Sequence, residues 1–127
     1  MNIKQVIISG IIMLLLDSVY LSIFSKFFNN IVFNIQNSKI KFRILGAVLC
    51  YIFLIFGLNY FIIDQKKPFL DAFLLGIIIY GVYETTSYTL LDKWPLNAVI
   101  LDTLWGGILF TLTYFLALKI LFAIKNA

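Results

Sequence analysis

The chain has no histidine, one cysteine and two prolines in 127 residues. Each shortage removes a class of chemistry. Without an imidazole there is no base for a Ser-His-Asp or Cys-His nucleophile. One thiol, Cys50, excludes a disulfide framework within the chain, and with no histidine beside it most zinc sites go too. In an apolar run Cys50 reads as a small filler. Charge is also scarce. Only 13% of residues are Asp, Glu, Lys or Arg, with a net charge of +4. The basic residues sit singly or in short connections, so no basic face of the kind nucleic acid needs is present. Lipid headgroups are the partner such flanking bases suit.

What fills the chain instead is apolar. The hydrophobic share is 62% and the mean hydropathy is +1.01. A soluble domain runs about 45–50% apolar, and 127 residues cannot bury the excess. Four apolar stretches stand out: Gln5 to Ser25, Ile44 to Ile63, Phe69 to Leu91 and Leu96 to Phe122. Each approaches or exceeds the ~20 residues that carry a helix across a bilayer. In lipid the backbone must satisfy its own hydrogen bonds, so each run is read as a helix. The fold class is therefore all-α: a polytopic four-transmembrane-helix bundle forming one membrane domain over residues 1–127. The first run is read as a retained helix rather than a cleaved signal. It is long, contains Asp17 and ends without a small-residue cleavage site.

Two connections are short: Asp64 to Pro68 and Asp92 to Pro95. They force antiparallel neighbours, and Trp94 reads as a headgroup-level anchor. The longest connection, Lys26 to Arg43, carries Phe27, Phe28, Ile31, Val32 and Ile35 at helical spacing, with asparagines between them. This predicts a short helix lying in the interface after the first span. The bases do not orient the bundle. Lys4, Lys66, Lys67, Lys119 and Lys125 fall on one side; Lys26, Lys39, Lys41, Arg43 and Lys93 fall on the other.

Three carboxylates lie inside the spans: Asp17, Glu84 and Asp102. Each costs ~2.5–3.5 kcal/mol on insertion scales and is a candidate functional residue for that reason. At 1.5 Å per residue they sit ~12, ~10 and ~9 Å from the nearest end of their spans. Those three ends face one side, so the acids share one layer of one leaflet, with no Lys or Arg at that depth. Three unpaired charges cannot persist there together. At least one acid is expected to be protonated at neutral pH, or the layer to hold a cation. Polar neighbours surround the layer. Tyr80, Glu84 and Tyr88 recur at i, i+4, i+8, Ser87 adds a hydroxyl, Tyr20 follows Asp17 by three and Trp105 follows Asp102 by three. Cys50 and Tyr51 reach a similar depth in the second span. Leu16-Asp17-Ser18-Val19-Tyr20 and Leu101-Asp102-Thr103-Leu104-Trp105 resemble each other, but a five-residue match between apolar helices does not establish a repeat. Gly76, Gly81, Gly106 and Gly107 suit close helix packing. Asn59 can hydrogen-bond between helices.

The stretch Gly76 to Ser87, Gly-Ile-Ile-Ile-Tyr-Gly-Val-Tyr-Glu-Thr-Thr-Ser, is followed by Lys93-Trp94-Pro95-Leu96 and then by Asp102-Thr103-Leu104-Trp105-Gly106. It resembles the domain-of-unknown-function 2177 family of small membrane proteins. That family's pattern is a Gly/Tyr-rich third helix bearing Tyr-Asp-Leu-Thr-Asn, a Trp-Pro-Leu turn, then Val-Asp-x-x-Trp-Gly. Leu16-Asp17-Ser18-Val19-Tyr20-Leu21, with Lys26-Phe27-Phe28 after it, is similar to the family's Leu-Asp-x-x-Trp-Leu. Tyr51 to Phe61 fits loosely. Glu84 stands where the family shows Asp, Ser87 where it shows Asn, and Tyr20 where it shows Trp. The resemblance implies the fold and the membrane, and no mechanism.

Two functions follow as expectations. One is a proton- or cation-linked transporter or channel-like protein using Asp17, Glu84 and Asp102, with Tyr20, Tyr80, Tyr88, Ser87 and Trp105 around them. The other is a non-catalytic component of a membrane complex or envelope, its acids holding the bundle together. A four-helix bundle is thin for a pore, so a homo-oligomer or a membrane-protein partner is expected in the first case. No cofactor, metal or nucleic acid is expected. No Gly-x-Gly-Asp protease element and no metal-binding array supports an enzyme.

Overall fold

A computed structural model describes residues 1–126. The described residues form five α-helices: α1 (Ile3–Ile23), α2 (Ser25–Gln36), α3 (Ile44–Leu58), α4 (Phe69–Leu90) and α5 (Leu96–Lys125). A π-helical segment, Asn59–Ile63, continues α3, so four helical runs are long and apolar enough to cross a membrane. Large aliphatic and aromatic side chains point outward along all four, among them Ile7, Leu15, Phe53, Ile78 and Leu104. An outward apolar surface on every helix needs lipid as its solvent.

Helix ends follow local chemistry. The Asn2 side chain accepts from the Lys4 backbone N–H at 2.8 Å and caps α1. Asn37 closes α2 with a left-handed φ of 57°, which asparagine tolerates. Pro68 and Pro95 stand immediately before α4 and α5, where a missing N–H costs nothing. The π segment begins at fully buried Asn59. Its amide donates to the Ser9 hydroxyl on α1 at 2.9 Å and to the Ile55 carbonyl at 2.8 Å, while its own carbonyl accepts from the Asp64 N–H five residues on. Gln5 donates to the Asn59 side-chain oxygen at 3.0 Å and to Asp64 at 2.8 Å. Asn59 thus ties α3 to α1 near the Asp64 end of the bundle.

Helix α5 is the hub. It packs most closely on α4, then on α1, whereas α3 packs on α1. The α4–α5 seam is made by glycine. A Cβ at Gly76 would come within 3.0 Å of the Gly107 Cα, and one at Gly107 within 2.7 Å of the Phe73 ring. At Gly106 an added Cβ would meet the Tyr80 ring. Met13, Leu58, Leu109 and Phe110 are fully enclosed between α1, α3 and α5.

The short helix α2 folds back against the α4–α5 turn. Ile31 is buried with Trp94, Ala98 and Val99, and Phe27, Phe28 and Ile35 pack around them. Lys93 donates to the Asn34 carbonyl at 3.2 Å and ties the turn to α2. Trp94 is therefore not the headgroup anchor that its place in a turn suggests. It is 8% exposed, because α2 covers it.

Replacing Gly106 with alanine is expected to force α4 and α5 apart and to lower stability by about 1–3 kcal/mol, as overpacking does. Gly46 has open space around it, and Gly46→Ala is expected to leave the melting temperature in detergent unchanged. Equal melting of both variants would contradict the glycine seam.

Candidate functional site

All three intramembrane acids meet an aromatic donor. Tyr20 on α1 donates to Asp102 on α5 at 3.0 Å. Trp105 on α5 donates its indole N–H to Asp17 on α1 at 2.9 Å. The Tyr20 and Trp105 rings stack between the two bonds, with centroids 4.5 Å apart and planes 2° from parallel. Each helix thus lends an acid and, one turn further on, an aromatic ring. The two similar Asp-x-x-aromatic segments seen in the sequence clasp one another antiparallel. Tyr51 on α3 gives Asp17 a second donor. Trp94 donates its indole N–H to Glu84 at 2.9 Å, ten residues back on α4.

Glu84 is 1% exposed and Asp17 6%. Among the described residues no lysine or arginine forms an ion pair with any of the three acids. Glu84 on α4 and Asp102 on α5 border one small cavity. Among the described residues no three acids or thiols come close enough to bind one metal ion together. The layer thus holds Glu84 and Asp102 on one cavity and Asp17 held by two rings.

Space reaches the pair from two directions. A cavity of about 160 Å³ is bounded by Leu21, Phe28, Tyr83, Glu84, Trp94 and Asp102, beneath α2. A cleft of about 400 Å³ opens between α3 and α4, bounded by Cys50, Phe53, Leu54, Ile79, Tyr80, Tyr83 and Asp102. Asp102 and Tyr83 border both. The cleft exists because α3 leans on α1 and makes little contact with α4.

The surrounding candidates divide. Tyr20 and Trp105 bond directly to acids. Tyr80 lies across Gly106 in the helix seam and borders the cleft. Ser87 is half-buried beside Tyr83. Tyr88 is 51% exposed and faces away. A stripe at i, i+4, i+8 rotates ~40° per step, and by the third member it has left the interface. Tyr51, Trp94 and Tyr83 complete the site. Depth in the second span already places Tyr51 level with the acids, and it bonds to Asp17. Trp94 needed the fold-back of α2, which turn composition does not reveal.

Four membrane-crossing helices around an enclosed band of acids and aromatic donors define a small multi-pass membrane protein. The chain belongs to the DUF2177 family, described as predicted membrane protein, whose family model matches residues 2–119. No curated protein and no solved structure matches the chain.

A double-mutant cycle of Tyr20→Phe and Asp102→Asn, read by unfolding in detergent, is expected to give a coupling of about 0.6 kcal/mol, and no more than about 1.7. Tyr88→Phe, which touches no acid, should stay within about 0.5 kcal/mol of the parent. Zero coupling in the cycle would remove the clasp as an energetic unit.

Proposed function

We propose that the protein is a proton-linked transporter or channel-like membrane protein whose exchangeable proton sits between Glu84 and Asp102. Two acids on one cavity, with a second cleft reaching Asp102, carry this reading. Tyr20 donates to Asp102 and Trp94 to Glu84, so each acid keeps an orienting donor while a proton passes between them. Asp17, with Tyr51 and Trp105, is the next group at this depth able to accept it.

A crossing path also needs the far half of the bundle. There Gln5, Ser9 and Asn59 form a second polar layer. The Tyr20–Asp102 and Asp17–Trp105 bonds give an antiparallel register that brings Thr113, buried and without a hydrogen-bond partner, level with Ser9. Fully buried Met13, Leu109 and Phe110 lie between the two layers. In this reading they are the barrier that must move, and the described state is closed. A second copy or another membrane protein beside the thin bundle would complete a path.

The second reading is structural. The donors to Asp17 and Asp102 all come from another helix, as hydrogen bonds that fasten a bundle would.

Proton flux into dye-loaded liposomes distinguishes the two. The transport reading expects flux from the wild type and empty-liposome rates from Glu84→Gln and Asp102→Asn, with melting temperatures largely kept. Flux that survives the double variant sinks it. A wild type without flux, together with variants that melt early, supports the structural reading.

A further inference from the structure

At 30 residues and ~1.5 Å per residue, α5 is about 45 Å long, some 15 Å more than a bilayer core needs. The excess lies at the Asp64 end. The Phe69 ring at the start of α4 packs on Tyr114 and Phe115, with centroids 5.1 and 5.9 Å away. The Tyr114 hydroxyl donates to the Lys67 carbonyl at 2.7 Å. The start of α4 is therefore level with Tyr114, and the α1–α5 register brings Ile3 level with Lys119. Beyond Lys119, α5 runs on past the ends of both neighbours.

That overhang is apolar where water and headgroups would meet it. Phe122 is 71% exposed, and Ile120 and Ile124 stand open as well. Beside it lies a groove of about 830 Å³. Phe69, Phe115 and Phe122 form its apolar floor, and Lys66, Lys119 and Lys125 stand around it. The Lys119 ammonium is 5.3 Å from the Phe115 ring centroid, so it is held over that floor. No carboxylate borders the groove among the described residues. Asp64, the acid nearest in sequence to Lys66, accepts from Gln5, which also borders the groove.

We infer that this groove is a binding site for one anionic phospholipid, its phosphate among Lys66, Lys119 and Lys125 and an acyl chain along the three phenylalanine rings. An inorganic anion would leave the aromatic floor bare. A zwitterionic lipid carries a positive group of its own into three ammonium groups. An anionic amphiphile matches both halves. This site is at the opposite end of the bundle from the Glu84–Asp102 pair and does not depend on what that pair does.

Native mass spectrometry of the detergent-solubilised full chain tests the site, with phosphatidylglycerol and phosphatidylcholine titrated separately. One phosphatidylglycerol per chain is expected to be retained in preference to phosphatidylcholine. Each lysine near a charged surface changes affinity about fivefold, so the triple variant Lys66→Gln, Lys119→Gln, Lys125→Gln should bind about a hundredfold more weakly. Removing three bases at the other end, by Lys39→Gln, Lys41→Gln and Arg43→Gln, should leave affinity within about twofold. Phe122→Ala keeps every charge and should weaken binding about tenfold through lost apolar contact. Equal loss in the two triple variants would overturn the site, as would equal retention of phosphatidylcholine. Displacement by millimolar inorganic phosphate would reassign it to a free anion. If the lysine triple variant does not fold, Phe122→Ala decides: unchanged retention ends the proposal.

Discussion

The reciprocal clasp between α1 and α5 is the constraint on which the remaining arrangement rests. An unpaired carboxylate in hydrocarbon is expensive, and no lysine or arginine is near enough to relieve it. Here Asp17 and Asp102 each take a hydrogen bond from the ring one turn along the opposite helix, and the two rings stack between them. The exchange works only if the helices run antiparallel in one register. A slip of one residue would turn both acids away from both donors. The clasp therefore fixes the rotation and depth of α1 against α5 together, which apolar packing alone does loosely in a lipid environment.

The other helices take their places from that pair. Helix α4 reaches α5 through Gly76, Gly106 and Gly107, and this close approach brings Glu84 and Asp102 to one cavity. Helix α3 is held to α1 by Asn59 and by the Tyr51–Asp17 bond, and so leans away from α4. The cleft beside Asp102 is the geometric remainder of these two attachments. Polar side chains are thus few, and most of them decide which helix touches which.

The four spans were legible because their apolar runs are long and their turns short. The common depth of Asp17, Glu84 and Asp102 followed from chain direction alone, and the amphipathic spacing between Phe27 and Ile35 announced α2. Pairing between helices was not legible. Every span is apolar on all faces, so hydropathy carries no record of which face is inward. Tyr88 continued a plausible stripe yet rotated out of the interface. Trp94 stood in a turn yet went inward beneath α2. Asn59 was visible as polar, but the widened helical turn it starts has no sequence signature. The two Asp-x-x-aromatic segments were the one pairing signal present, and their likeness acquired meaning only once they were docked on each other.

The clasp also bears on how the protein is made. Asp17 enters the bilayer with α1, but its donors Tyr51 and Trp105 belong to α3 and α5, which are synthesised later. During biosynthesis α1 must hold its acid without Tyr51 until α3 is made and without Trp105 until α5 is made. The helix is apolar enough to tolerate the delay, with a mean hydropathy of 2.2 over an 18-residue stretch. A chain arrested before Trp105 would contain three of the four spans and leave Asp17 without one of its two partners. In that chain Asp17 would rest on its bond from Tyr51 alone.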